Sequence, residues 1–246
     1  MFAMEKSKSS KLEKFLKLDY QRENNIWLES SKSLRKMIGI LGMLLPVMLY
    51  LFSYAFIDIS APLESISHYY YTRANPIFVV ILSCLGIFLI MYSGRECIDF
   101  YVSSLAGIAA LMVVFFPTTN LASACCASDT LFAVTYLPPN PTRETIHYLA
   151  AALFFIFLAY MSLQIFTRSD RTPSERKKPK VIRNRIYRTC GVTILICLLV
   201  IAAGFSGLIP PEIYETYKFT FWFETIAIEA FGFSWLIKGQ FLFEDE

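Results

Sequence analysis

Two carboxylates, two imidazoles and two guanidiniums carry most of the chemical promise of this chain. Glu224 and Glu229 lie inside the apolar stretch 219–237. An acidic group at the centre of a bilayer costs about 2.5–3.5 kcal/mol on insertion scales, so it faces the bundle interior, water or a partner. At 1.5 Å rise per residue, Glu224 sits roughly a turn and a half into the stretch and Glu229 near its middle. Five residues apart, they point about 140° away from each other and do not share a narrow face. They read either as a proton or cation relay with a ligand contact, or as protonated groups hydrogen-bonded between helices.

The two histidines of the chain, His68 and His147, fall at the ends of apolar stretches on the side where Glu224 is expected. Two imidazoles and a carboxylate leave one coordination position open, as catalytic zinc or non-haem iron requires. His68, His147 and Glu224 come from three separate helices, so only bundle packing can gather them into a zinc site. Otherwise each histidine is a hydrogen-bonded polar cap and no cofactor is needed. Arg73 and Arg143 lie on the same side and complete a candidate ligand-binding set with Glu229, Glu224, His68 and His147. They read as solvated surface charges, or else pair with Glu64 or Glu144 or hold a lipid phosphate. No residue is assigned a catalytic role. Walker, Rossmann, His-Glu-x-x-His and Gly-x-Ser-x-Gly patterns are absent, so nucleotide hydrolysis and elbow-type serine catalysis are unsupported.

The elements that position these groups are six apolar stretches, at about 37–57, 76–92, 100–116, 145–167, 189–209 and 219–237. Each approaches the roughly 20 residues that cross a 30 Å hydrocarbon core. The chain is 55% hydrophobic and 16% aromatic with a mean hydropathy of +0.48; roughly 45–50% apolar is usual for a soluble domain. Its basic residues sort by side. Of 23 Lys and Arg, 20 precede the first stretch, follow the fourth, or stand alone as Arg95 and Lys238; Arg73, Arg143 and Lys218 fall opposite. Cytoplasmic loops keep such an excess. The expected fold is therefore all-α: a polytopic bundle of six transmembrane helices in the cell inner (plasma) membrane, both termini cytoplasmic. Membrane lipids are the expected partners, since inner-leaflet charge attracts basic clusters beside a membrane span. A homo-oligomer is possible, and nucleic acid is not a partner, because the charges punctuate apolar spans without forming one basic domain.

Residues 1–36 read as a cytoplasmic basic arm, 37–239 as the transmembrane domain and 240–246 as a cytoplasmic tail. In the arm, Leu12, Phe15, Leu16 and Tyr20 recur at helical spacing among lysines. That suggests an amphipathic helix on the inner leaflet, with a solvated basic tail as the alternative. Pro46 is expected to kink the first span. Tyr69, Tyr70 and Tyr71 precede the second span and Trp222 opens the sixth, which places them in an aromatic belt. Glu96 and Asp99 border the third span, where Arg95 or the basic fourth loop would partner them. The vicinal pair Cys125-Cys126 is awkward to bridge to itself and lacks zinc-knuckle spacing.

Several segments together carry a resemblance: Ser65-Ile-Ser-His-Tyr-Tyr-Tyr-Thr72, His147-Tyr-Leu-Ala-Ala-Ala-Leu-Phe-Phe155, Arg183-Asn-Arg-Ile-Tyr-Arg188 and Trp222-Phe-Glu-Thr-Ile-Ala-Ile-Glu229. Across about 37–239 the chain resembles an uncharacterised family of bacterial multi-pass membrane proteins, grouped as a domain of unknown function. That resemblance implies an inner-membrane address. More distantly it is similar to the membrane hydrolases that include alkaline ceramidases and the progestin and adipoQ receptors. In those, a Ser, an Asp and three His surround zinc among seven helices. Ser67, His68, Asp99 and His147 supply some of these types, but a seventh span and the paired-His motif are missing and Asp99 is expected at the opposite face. The leading expectation is a protein that binds or moves a small or lipidic ligand through a polar site inside the bundle. The alternatives are a metal-dependent membrane hydrolase acting at the outer face, and a membrane scaffold or sensor.

Overall fold

Apolar segments that must satisfy every backbone N–H and C=O internally become helices. A computed structural model describes residues 20–57, 59–94, 96–121, 133–169 and 178–239, and among these it is all-helical, with no strand. Seven α-helices follow in order: α1 (Tyr20–Phe56), α2 (Asn75–Met91), α3 (Cys97–Phe115), α4 (Pro141–Tyr160), α5 (Lys178–Phe205), the short α6 (Pro211–Thr216) and α7 (Phe219–Lys238). A 3-10 turn, Ile66–Tyr71, precedes α2, and a π-helical turn, Met161–Ile165, prolongs α4. The amino-terminal part of the expected arm, Arg95, Cys125-Cys126 and the tail lie outside the described residues.

Four helical segments are long and apolar enough to cross a membrane: Lys32–Phe56, Cys97–Phe115, Pro141–Ile165 and Lys178–Phe205. The other two expected spans are helices but do not reach that mark. α2 is apolar with 17 residues, and α7 carries Glu224, Glu229 and Lys238 in 20 residues. Two expected boundaries move. α1 starts at Tyr20, so the last part of the basic arm is continuous with the first span, and Pro46 lies within the helix without ending it. α5 starts at Lys178, which makes Arg183, Arg185 and Arg188 helical. The reason is shared: Lys and Arg are good helix formers, so a charge that ends an apolar stretch does not end a helix. From the start of α5, Lys180 Nζ donates to the Phe166 carbonyl at 3.2 Å and Asn184 Nδ2 to the Thr167 carbonyl at 3.2 Å. These bonds satisfy carbonyls that the end of α4 leaves open.

The six long helices close a ring. Each packs on its neighbours in sequence order, α1 on α2, α2 on α3, α3 on α4 and α4 on α5; α7 then packs on both α5 and α1. Close crossings at glycines tighten it. A Cβ added at Gly39 of α1 would stand 2.7 Å from the Gly232 carbonyl oxygen of α7, and one at Gly86 of α2 would stand 2.9 Å from that of Gly107 on α3. Small residues let helices approach where lipid removes most of the hydrophobic drive for association. One end of the ring is filled by Trp235, whose ring lies 4.9 Å from Tyr92 and 5.1 Å from Phe166 between centroids. At that end Arg168 Nη1 meets Asp99 at 2.7 Å and Glu96 at 2.9 Å. The first residue of the fourth loop thus partners the acidic start of α3, as expected, and this is the basic end of the bundle.

At the other end the tyrosines depart from the belt reading. Tyr69 and Tyr71 are fully buried. Tyr71 donates its hydroxyl to the Thr118 carbonyl at 2.6 Å, and the Tyr69 hydroxyl accepts from Leu63 N–H at 3.5 Å. A chain that folds back over the helix ends needs large side chains beneath it, with polar tips that meet backbone groups. Trp222 stays half exposed on α7.

Candidate functional site

The 3-10 turn carries His68 and is pinned to α7 twice. Phe221 N–H donates to the Glu64 carbonyl at 3.0 Å, and Ile66 N–H donates to Glu224 Oε2 at 2.8 Å. Thr72 closes the turn, donating Oγ1 to the Tyr69 carbonyl at 2.9 Å and accepting from Ala74 N–H at 3.0 Å. Pro76 then sits in the first turn of α2, where its missing N–H costs nothing. Across the bundle, Asn140 caps α4 by accepting from Arg143 N–H at 3.1 Å, which places His147 one and a half turns inside.

Between α4, α5, α6, α7 and the turn lies a cavity of about 430 Å³. His68, His147 and Glu224 all line it, so the packing does gather the three groups that sequence placed at one depth. Ser65, Thr118, Thr119 and Thr220 add hydroxyls, while Glu64, Glu215 and Lys218 add charge. One to two turns further along α4 and α5 the wall becomes apolar: Ala151, Ala152, Phe155, Leu198 and Ile201. A second void of about 30 Å³ lies deeper, lined by Leu45, Phe78, Val113 and Ile228, and Glu224 borders both spaces. That volume has room for about one or two waters.

Each titratable group is held. His68 Nδ1 lies 2.7 Å from Ser65 Oγ, and its Nε2 lies 3.4 Å from Thr119 Oγ1 and 3.8 Å from Glu64. His147 Nδ1 is 2.7 Å from the Phe116 carbonyl, which only accepts, so that nitrogen carries the proton. Glu224 has a donor on Oε2, and its second oxygen has none among the described residues. No three His, Cys, Asp or Glu among the described residues stand together closely enough to hold a metal ion.

Burial lowers the His68 pKa to about 4, with the nearby His147 and Lys218 charges acting the same way. Ser65 and His68 make the kind of contact that a serine nucleophile shares with its base. The imidazole also ties stability to pH. An unfolded chain binds a proton there below about 6.5, whereas the folded chain does so only near 4. His68 therefore contributes full stability above about 6.5, and it is lost as pH falls toward 4, at up to roughly 1.4 kcal/mol per unit. Thermal unfolding of detergent-solubilised His68→Gln should lose less stability between about pH 7 and pH 5 than the parent. Equal losses would refute this.

The remaining expected residues separate. Glu229 is half-buried on α7 and lines neither space. Arg143 ties the loop together, donating Nε to the Pro117 carbonyl at 3.1 Å and Nη1 to the Pro138 carbonyl at 3.0 Å, with Glu144 at 3.5 Å. Arg73 is exposed and lies off the cavity. Asp99 is at the basic end, buried against Arg168, and Ser67 borders only the deeper void. Asp99 therefore stands at the end away from His68 and His147, as expected from the sequence. Residues that sequence reasoning missed are Ser65, Thr119, Tyr214 and Lys218. The three-residue spacing of Ser65 and His68 was visible; the other contacts join segments remote in sequence. No known family of proteins matches the chain, and no curated protein or solved structure was found similar to it.

Proposed function

We propose that this protein is a multi-pass component of the cell inner membrane, crossing six times with both ends in the cytoplasm, that binds a small amphiphilic ligand at its outer end. The observation that carries the reading is the two-part wall of the 430 Å³ cavity, polar at His68, His147 and Glu224 and apolar along Ala151, Phe155 and Ile201. Ligand sites of about 300–1,000 Å³ combine an apolar body with a few placed polar groups in this way. The basic end, with Arg168, Arg183 and Lys238, then faces the anionic inner leaflet, which supports the orientation. Α-helical length supports the count: the 17 residues of α2 reach about 25 Å and the 20 of α7 about 30 Å. Tyr148 and Phe205 are exposed apolar side chains that also line the cavity, so its mouth opens among groups that face lipid. Binding from the outer leaflet, and passage past Glu224 toward the deeper void, follow naturally from that placement.

A medium-chain photoreactive amphiphile presented in nanodiscs tests the reading. Cross-links should concentrate on the α4 and α5 cavity wall, and Ala151→Phe, which fills the apolar part, should reduce them severalfold. Labelling that is spread evenly over lipid-facing residues such as Phe115 and Leu199, and that Ala151→Phe leaves unchanged, would reject it.

A further inference from the structure

The polar half of the cavity has a sign and an aromatic lining, and together they select a head group. Three carboxylates, Glu64, Glu215 and Glu224, line it against one ammonium, Lys218. Lys218 makes no ion pair with any of them among the described residues. Its backbone is left-handed, φ 51°, at the tight turn that starts α7, a conformation costly for a side chain other than glycine. Burial holds the His68 imidazole neutral, so it adds no positive charge. The site therefore attracts a cation.

The rings supply the second observation. Tyr148, Phe205, Tyr214 and Phe219 form an unbroken arc over α4, α5, α6 and α7, with successive centroids 5.5, 6.5 and 5.5 Å apart. All four line the cavity. Tyr214 is oriented by its hydroxyl, 2.8 Å from Thr220 Oγ1, and a side chain at Gly204 would collide with its ring. Ring and carboxyl group line the same space. A cation within about 6 Å of several ring faces is drawn by their quadrupoles, and alkylammonium groups are recognised in such aromatic enclosures. From Tyr148 to Phe155 the wall then runs about 10 Å along α4, into apolar surface suited to a hydrocarbon chain.

We infer that the cavity binds a single-chain amphiphile with an alkylammonium head, held by Glu224 and the arc Tyr148, Phe205, Tyr214 and Phe219. This rests on the amphiphile-binding reading above and adds the charge of the head. A free alkylammonium solute offers the same head without the chain.

Equilibrium binding to the full chain in nanodiscs separates these cases, with four probes: dodecyltrimethylammonium, choline, dodecyl sulfate and dodecyl maltoside. Dodecyltrimethylammonium should bind saturably, at least tenfold tighter than the other three. Glu224→Gln, which keeps an oxygen for Ile66 N–H and removes the charge, should weaken it about tenfold. Tyr214→Phe should retain binding and Tyr214→Ala should lose it severalfold, with a near-parental melting temperature for Tyr214→Phe. If dodecyl sulfate or dodecyl maltoside binds as tightly, the charge assignment falls while amphiphile binding stands. If choline binds as tightly, the chain plays no part and the inference is overturned. If no amphiphile binds saturably, both readings fall together.

Discussion

Glu224→Ala is expected to loosen the whole turn above the cavity, raising amide exchange of residues 64–71 by more than tenfold while Glu224→Gln stays near the parental rate. Ile66 is buried at 3% exposure and its N–H has Glu224 Oε2 as acceptor at 2.8 Å. Alanine removes the acceptor and leaves that donor orphaned, a loss of about 2 kcal/mol. By the relation of free energy to population, that is a more than tenfold rise in local opening. Glutamine keeps a carbonyl oxygen of the same reach. The turn carries Ser65 and His68, so its opening also dismantles the polar half of the cavity. Hydrogen–deuterium exchange with peptide-level readout measures this. Ala and Gln variants that exchange alike across 64–71 would show that the carboxylate does not pin the turn.

The second large effect lies where the ring of helices closes. In Gly39→Leu the new Cβ would stand 2.7 Å from the Gly232 carbonyl oxygen and 2.9 Å from Leu236 Cγ. The first contact is backbone, so relief requires α1 and α7 to separate, and insertion into such a packed contact costs about 3 kcal/mol or more. At Gly42 the nearest group is the Phe231 ring at 3.2 Å, a side chain that gives way by a few tenths of an ångström. Gly42→Ala should therefore cost under about 1 kcal/mol, with the better helix propensity of alanine in its favour. The comparison is read as melting temperature and as the yield of monodisperse protein in detergent. Equal losses at the two positions would mean that the α1–α7 crossing is not what closes the bundle. Since α7 supplies Glu224 and the acceptor for the turn, separation at Gly39 is also expected to disturb the cavity.

Much of the fold was legible before packing. The apolar stretches located all six long helices to within a few residues at most ends, because a backbone in an apolar setting has few other ways to satisfy itself. The starts of α1 and α5 were misplaced, since the basic residues before each stretch continue the helix. The mutual orientation of Glu224 and Glu229 was also visible at 100° per residue, and it now accounts for one lining the cavity while the other does not. Tyr69 and Tyr71 misled because belt and buried roles use the same residue type. Arg143 misled because its partners, Pro117 and Pro138, are loop carbonyls that no side-chain pattern announces.

The residue order alone determined helix content, the sorting of basic groups into alternate connections and the carboxyl groups on α7. Only the tertiary structure decided that α7 closes a ring against α1, and that Glu224 holds the turn bearing His68 while Ser65, His147 and Tyr214 meet around one space. The division has a physical cause. Hydropathy and helical period act over neighbouring residues and can be read along the chain. A cavity is made of side chains brought together from four helices and a turn, and which of them meet depends on ångström-scale crossings such as the one Gly39 and Gly232 permit.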